Sequence, residues 1–137
     1  MIRKISLQDR SIFLTMSEEF YASPAVEHAV PHDFHVRAFD EMMRSDDYIE
    51  GFLLMDGTVP AGYALLQKTY SREAGGLTIW IDEIYLRPAF RGKGLAKAFF
   101  AFAETLGASR LRLEVEPENA HAVAVYQKLG YRMLEYR

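Results

Sequence analysis

The 137-residue sequence has no cysteine, which removes disulfide frameworks, thiolate nucleophiles and cysteine-based zinc sites together. No apolar run approaches the roughly 20 residues that cross a bilayer. The N-terminal stretch Met1-Ile2-Arg3-Lys4-Ile5 also lacks the apolar core and small-residue cleavage site of a secretory signal. A cytosolic location and no membrane partner are expected. Neither sign of charge is in large excess, and a formal net charge of −3 argues against a nucleic-acid partner, whose binding depends on basic surface. No repeat, linker or low-complexity tract interrupts the chain. His28, His32 and His35 lie close together in sequence, but Pro31 breaks the helix that would align the first two, and no H-E-x-x-H pattern accompanies them. No metal is expected, and a histidine lining a substrate pocket is the better reading.

What the sequence has is enough apolar and aromatic material for a single core over residues 1–137, with half its residues hydrophobic, nine Phe and eight Tyr. Patterning predicts a strand over 2–5 and a helix over 7–21, with Ser6 as its cap. A second helix over 34–44 follows an irregular, proline-broken stretch, 21–30, that is expected to build part of an acceptor pocket. Strands over 49–55 and 59–70 flank an Asp56-Gly57 hairpin turn. Gly62 inside the second of these strands suggests a bulge or a close backbone approach. A long strand over 77–86 precedes a helix over 94–106 that Gly107 stops. A strand over 111–116, a helix from Pro117-Glu118-Asn119 to Gly130 and a closing strand over 131–136 complete the order. Hairpins make the middle strands antiparallel and helical crossovers make their neighbours parallel, so the fold class is α/β, a mixed sheet in a three-layer domain. Charge is uneven: residues 1–75 hold twelve acids against seven Lys and Arg, residues 76–137 seven against nine. A negative front half favours a cationic substrate.

The most informative run is Ile84-Tyr85-Leu86-Arg87-Pro88-Ala89-Phe90-Arg91-Gly92-Lys93-Gly94-Leu95-Ala96, a strand turning through a glycine-rich bend into a helix. Glycines let backbone amides approach an anion, and a helix start offers unpaired N–H groups at the positive end of its dipole. The spacing fails both G-x-G-x-x-G and the Walker loop, but fits R-x-x-G-x-A from Arg91 to Ala96. That hexapeptide resembles the pyrophosphate signature of the GNAT superfamily of acetyl-CoA-dependent N-acyltransferases. Asn119, Tyr126 and Lys128-Leu129-Gly130-Tyr131 resemble its N-x6-Y-x3-G-[FY] segment.

The resemblance implies the three-layer acyl-CoA N-acyltransferase fold, with strands 77–86 and 111–116 splayed to admit the pantetheine arm. This chain stops before the family's usual last strand, and a homodimer would cover the edge so exposed. The resemblance further implies that Ile84, Tyr85 and Leu86 meet the acyl and pantetheine groups. Arg91, Gly92, Lys93, Gly94, Leu95, Ala96 and Lys97 would hold the pyrophosphate, Asn119 the pantetheine amides, and Tyr126 would protonate the departing thiolate. Asp82, by its distance from Arg91, matches the proton acceptor of many members. Uniform alternation puts Trp80, Asp82, Ile84 and Leu86 on one face and Ile81, Glu83 and Tyr85 on the other. A bulge would exchange the faces, so Glu83 competes with Asp82 as the base. With no cysteine and no Ser-His pair evident, an acyl-enzyme is not expected. The expected activity is direct acetyl transfer from acetyl-CoA to a primary amine, small and cationic or on a peptide. A non-catalytic acyl-CoA sensor is the alternative.

Overall fold

The structure, a computed structural model, describes residues 1–26, 28–114 and 120–132. Five strands form one sheet in sequential order: β1 (Ile2–Lys4), β2 (Ile49–Asp56), β3 (Val59–Ser71), β4 (Gly76–Leu86) and β5 (Arg110–Leu113). The first three pairings are antiparallel and β4 pairs β5 in parallel, as a helical crossover between neighbours requires. The helices are α1 (Arg10–Tyr21), α2 (His32–Arg44), α3 (Leu95–Glu104) and α4 (Ala120–Lys128).

Strand alternation sorts the core into two layers. Leu53, Tyr63 and Leu65 turn toward Phe13 and Met16 of α1 and Phe39 and Met42 of α2. Their neighbours Phe52, Leu54, Ala64 and Leu66 turn toward Phe99, Phe100 and Ala103 of α3. Helices on both faces of a mixed sheet give the expected three-layer fold.

Boundaries shift where local chemistry dictates. The first helix opens with a 3-10 turn, Leu7–Asp9, because Ser6 and Asp9 form a capping box. Pro31 occupies the N-cap of α2, so that helix begins at His32, two residues earlier than patterning predicts. Helix α3 begins after Gly94, whose φ of +81° only glycine adopts readily. Of the strand expected over 111–116, residues up to 113 lie in β5 and residue 114 has left the ladder; 115 and 116 lie outside the described residues, as does most of the strand expected over 131–136.

The consequential departure is in β4. Leu65 faces Glu83 and Leu66 faces Ile81, leaving Asp82 as an extra residue in a bulge. The bulge resets the period of two. Uniform alternation is therefore overturned: Ile79 and Ile81 share the α3 face with Ile84 and Leu86, while Tyr85 joins the core beneath α1 and α2. Gly62 answers its second expectation, since a Cβ there would collide with the carbonyl oxygen of Tyr85.

Candidate active site

The bend after β4 is built by two positive-φ glycines, Gly92 at +79° and Gly94 at +81°, which alternate with ordinary residues to make an amide nest. Among the described residues, no backbone or side-chain acceptor takes the amides of residues 92–97. Six successive donors at a helix start are therefore left unclaimed among the described residues, the property an anion site needs. Two cations assigned to the loop are partly committed elsewhere. Arg91 donates through Nε to the Leu86 carbonyl at 3.0 Å, tying the loop to the strand end. Lys93 reaches Asp56 at 3.1 Å, while Arg91, Lys97 and Lys128 are the basic residues on the wall of the adjoining cleft.

That cleft has a volume of about 590 Å³. Ile84, Tyr85 and Leu86 form one wall, Ala96 and Phe100 of α3 the floor, and Val125 and Tyr126 of α4 the opposite wall. Phe20, Ser23 and Ala25, at and beyond the end of α1, close its far side. The irregular stretch after α1 therefore does line the cleft, through Ser23 and Ala25. The amide of Arg87 donates to the Ala61 carbonyl of β3 at 2.9 Å, so alternation aims the amides of Ile84 and Leu86 at the opposite edge of β4. The described pairing with β5 ends at Ile81 and Leu113. Two amides thus face the cleft, while Tyr85 lines it with its ring. Tyr126 stacks edge-on against Phe100, ring centroids 5.4 Å apart, and burial pushes its phenol up. Asn119 lies outside the described residues.

The two candidate carboxylates have separate surroundings. Asp82 sits at the bulge, raised by desolvation, pulled back by a hydrogen bond from Gln67, and raised again by the charge of Glu114. Glu83 projects beneath α1, where it accepts the Tyr63 hydroxyl at 2.7 Å and the Tyr21 hydroxyl at 3.0 Å. Burial raises its pKa, the two phenols oppose that rise, and the Asp82 charge adds to it. Both carboxyls stand above the ordinary carboxylate range. A third carboxylate, Glu19, anchors the site's rim: it accepts from Tyr85 and Arg87 at 3.0 Å each, clamping α1 to the end of β4.

Nothing in the sequence pattern marks Tyr63 or Gln67 as site residues, because only packing against β4 brings them there, and Tyr21 is marked only as the first residue of the irregular stretch. The histidines resolve differently. His35 is 3% exposed and its Nδ1 lies 2.6 Å from the Ser17 hydroxyl; His32 stands at the surface, 2.7 Å from Glu18. A Ser-His pair that is not evident in the sequence thus appears in the fold, since α1 and α2 bring together residues eighteen apart. Ser17, 3% exposed, is sealed from substrate, so the pair is no acyl nucleophile. Among the described residues, no three His, Asp or Glu side chains form a group that could hold a metal ion.

Layer order, parallel crossover, glycine nest and adjoining cleft together define the three-layer acyl-CoA N-acyltransferase fold. Residues 13–131 match the family described as Acetyltransferase (GNAT) family, and the chain belongs to that family. A thialysine N-epsilon-acetyltransferase of Caenorhabditis elegans is 32% identical over 87 residues, spanning 61% of this chain and 54% of that protein, about half its length. An uncharacterized N-acetyltransferase of Lactobacillus delbrueckii subsp. lactis is 31% identical over 145 residues, spanning 94% of this chain and 82% of the relative. Among solved structures, AAC(6')-Iy in complex with the bisubstrate analog CoA-S-monomethyl-acetylneamine superposes with a TM-score of 0.77 at 21% identity, covering 100% of this chain and 96% of that one. That likeness is one of fold.

Proposed function

We propose that this chain is an acetyl-CoA-dependent N-acetyltransferase that acts on a cationic primary amine by direct attack within a ternary complex. The observation that carries the reading is one cleft with an amide nest at its mouth and Tyr126 and the β4 amides along its walls. The amides of residues 92–97 bind the pyrophosphate, with Arg91 and Lys97 adding charge. Ile84 and Leu86 donate to the thioester carbonyl as its oxygen gains charge, the largest single contribution such sites make. Glu83 takes the proton of the ammonium, freeing the lone pair that attacks the carbonyl carbon. Tyr126 donates its proton to the departing thiolate.

Two features support Glu83 over Asp82 as base. Its carboxylate is held by two phenols in a fixed orientation, and it lies on the face that α1 and the irregular stretch after it cover. Asp82, beside Glu114 and Gln67, then attracts the acceptor's remaining positive charge. A cationic amine is further supported by the acceptors named for the similar proteins, thialysine and a neamine derivative.

The test is thiol release from acetyl-CoA with spermidine, lysine, neamine and a lysine-containing peptide as acceptors. Tight coenzyme A binding without turnover on any of them would convert the reading to a sensor. Gly94→Ala is expected to weaken coenzyme A binding about tenfold by calorimetry, since a side chain at φ +81° costs about 1–3 kcal/mol. Unchanged affinity would count against the nest. Tyr126→Phe is expected to lower kcat about 10- to 100-fold with coenzyme A affinity kept; a full-rate variant would reassign the acid.

A further inference from the structure

Behind Glu83 a line of hydroxyl and imidazole groups runs through the protein and out the other side. Glu83 Oε1 accepts from Tyr63, which is fully buried. The Ser17 side chain neighbours the Tyr63 phenol and opposes the rise that burial and Glu83 impose on its pKa, while the phenol's own hydrogen bond goes to Glu83. The Ser17 hydroxyl meets His35 Nδ1 at 2.6 Å. The far nitrogen of His35, Nε2, is buried and has no hydrogen-bond partner, yet stands 3.7 Å from Oε1 of the half-exposed Glu18. That oxygen is 2.7 Å from Nδ1 of His32, whose side chain is 68% exposed. Tyr21 packs its ring edge-on to His35 at 4.8 Å and donates to Glu83, bridging the two ends of the line.

Buried polar groups in a helix interface are costly unless they are satisfied or used. Two apolar residues at positions 17 and 35 would pack there more cheaply. The orphaned Nε2, 3.7 Å from a half-exposed surface carboxylate, is the feature that a purely structural hydrogen bond leaves unexplained.

We propose that Tyr63, Ser17 and His35 form a buried proton relay that carries the ammonium's proton from Glu83 out to Glu18 and His32 at the surface between α1 and α2. The inference rests on the reading of Glu83 as proton acceptor. Once protonated, Glu83 turns from acceptor to donor, and the Tyr63 hydroxyl is released to rotate toward Ser17. The Glu83 proton passes to the Tyr63 oxygen as Tyr63 gives its own to Ser17, and Ser17 gives its own to His35 Nδ1. His35 then carries protons on both nitrogens. Its Nε2 proton leaves when the Glu18 carboxylate swings the short remaining distance, and His32 or water takes it on. One proton enters at Glu83 and one leaves at Glu18, with no change elsewhere; hydroxyl rotation and return of the imidazole tautomer reset the line. Histidine suits the step because both its nitrogens exchange protons.

Ser17 and His35 touch no substrate; they act through Glu83. The experiment compares the full chain with Ser17→Ala and His35→Ala, using the acceptor among spermidine, lysine, neamine and the lysine peptide that turns over fastest. In Ser17→Ala, kcat is expected to fall about tenfold while KM for acetyl-CoA stays unchanged and the solvent deuterium isotope effect on kcat grows. The pH profile should move as well, since Glu83, Asp82, Tyr21, Tyr63, Glu18 and His32 all face the line. His35→Ala leaves a ring-sized cavity, and added imidazole should restore much of its lost rate. Folded variants that turn over at the parent rate with an unchanged isotope effect would overturn the relay alone. So would variants with weakened coenzyme A binding that imidazole does not rescue, the mark of a packing role. A parent chain that releases no thiol on any amine would instead remove the acetyltransferase reading, and the relay with it.

Discussion

Glu83→Gln is expected to lower kcat/KM by about 100-fold or more while raising the stability of the fold at neutral pH. The loss follows from the removal of a positioned base, which contributes 10²–10⁴ in rate. Structure should survive, because glutamine is isosteric and can still pair with the hydroxyls of Tyr21 and Tyr63. The stability gain follows from linkage. Burial raises the Glu83 pKa above its unfolded value, so the native state binds this proton more tightly than the unfolded chain does. Between the unfolded and folded pKa, stability therefore falls as pH rises, and above both the folded protein carries the full cost of the buried charge. The neutral amide escapes that cost. In the parent chain, activity should decline on the acid side around a pKa above the ordinary carboxylate range, and this limb should vanish in the variant. The checks are pH–rate profiles and urea denaturation on both proteins. An unaltered acid limb would transfer the role to Asp82, whose Asp82→Asn substitution would then show the larger effect.

How much of this was legible in the sequence depends on the range of each interaction. The glycine bend was, because Gly92 and Gly94 need positive φ whatever surrounds them. So were the sheet's strands and layers, since alternation is a local property, and Phe52 and Leu54 against Leu53 and Tyr63 sort themselves. The bulge at Asp82 was not, because it exists only in the register with Leu65 and Leu66 on β3. That single extra residue sends Ile79 and Ile81 to the α3 face while Glu83 stays with Tyr85 beneath α1, so sequence alone leaves Asp82 and Glu83 both as candidates for the base. Ser17 and His35 are invisible for a related reason: each reads as an ordinary helical residue until α1 and α2 pack. Clustered histidines were a signal, but one that pointed toward metal or pocket, not toward the interior.

The same register predicts where the fold is least tolerant. Gly62→Ala is expected to destabilise the domain by about 3 kcal/mol or more, lowering its Tm by roughly 10 °C or more, and to abolish coenzyme A binding at assay temperature. A Cβ at Gly62 would collide with the Tyr85 carbonyl oxygen and lie 2.9 Å from its carbonyl carbon and 3.0 Å from the Leu86 Cα. All three atoms are backbone, so no rotamer relieves the clash; the β3–β4 ladder itself must open between Tyr85 and Leu86. Opening it there moves the Ile84 and Leu86 amides that face the cleft and loosens the bond from Arg87 to Ala61. Gly51→Ala makes the contrast. A Cβ at Gly51 collides with Met42 Sδ and approaches Ile5 Cδ1 to 2.9 Å, but both are ends of side chains that can move. That variant should lose less stability and keep its coenzyme A affinity. Thermal denaturation and calorimetry on the two proteins decide the matter: equal losses in both would mean that crowding, rather than the backbone contact beside Leu86, governs the effect.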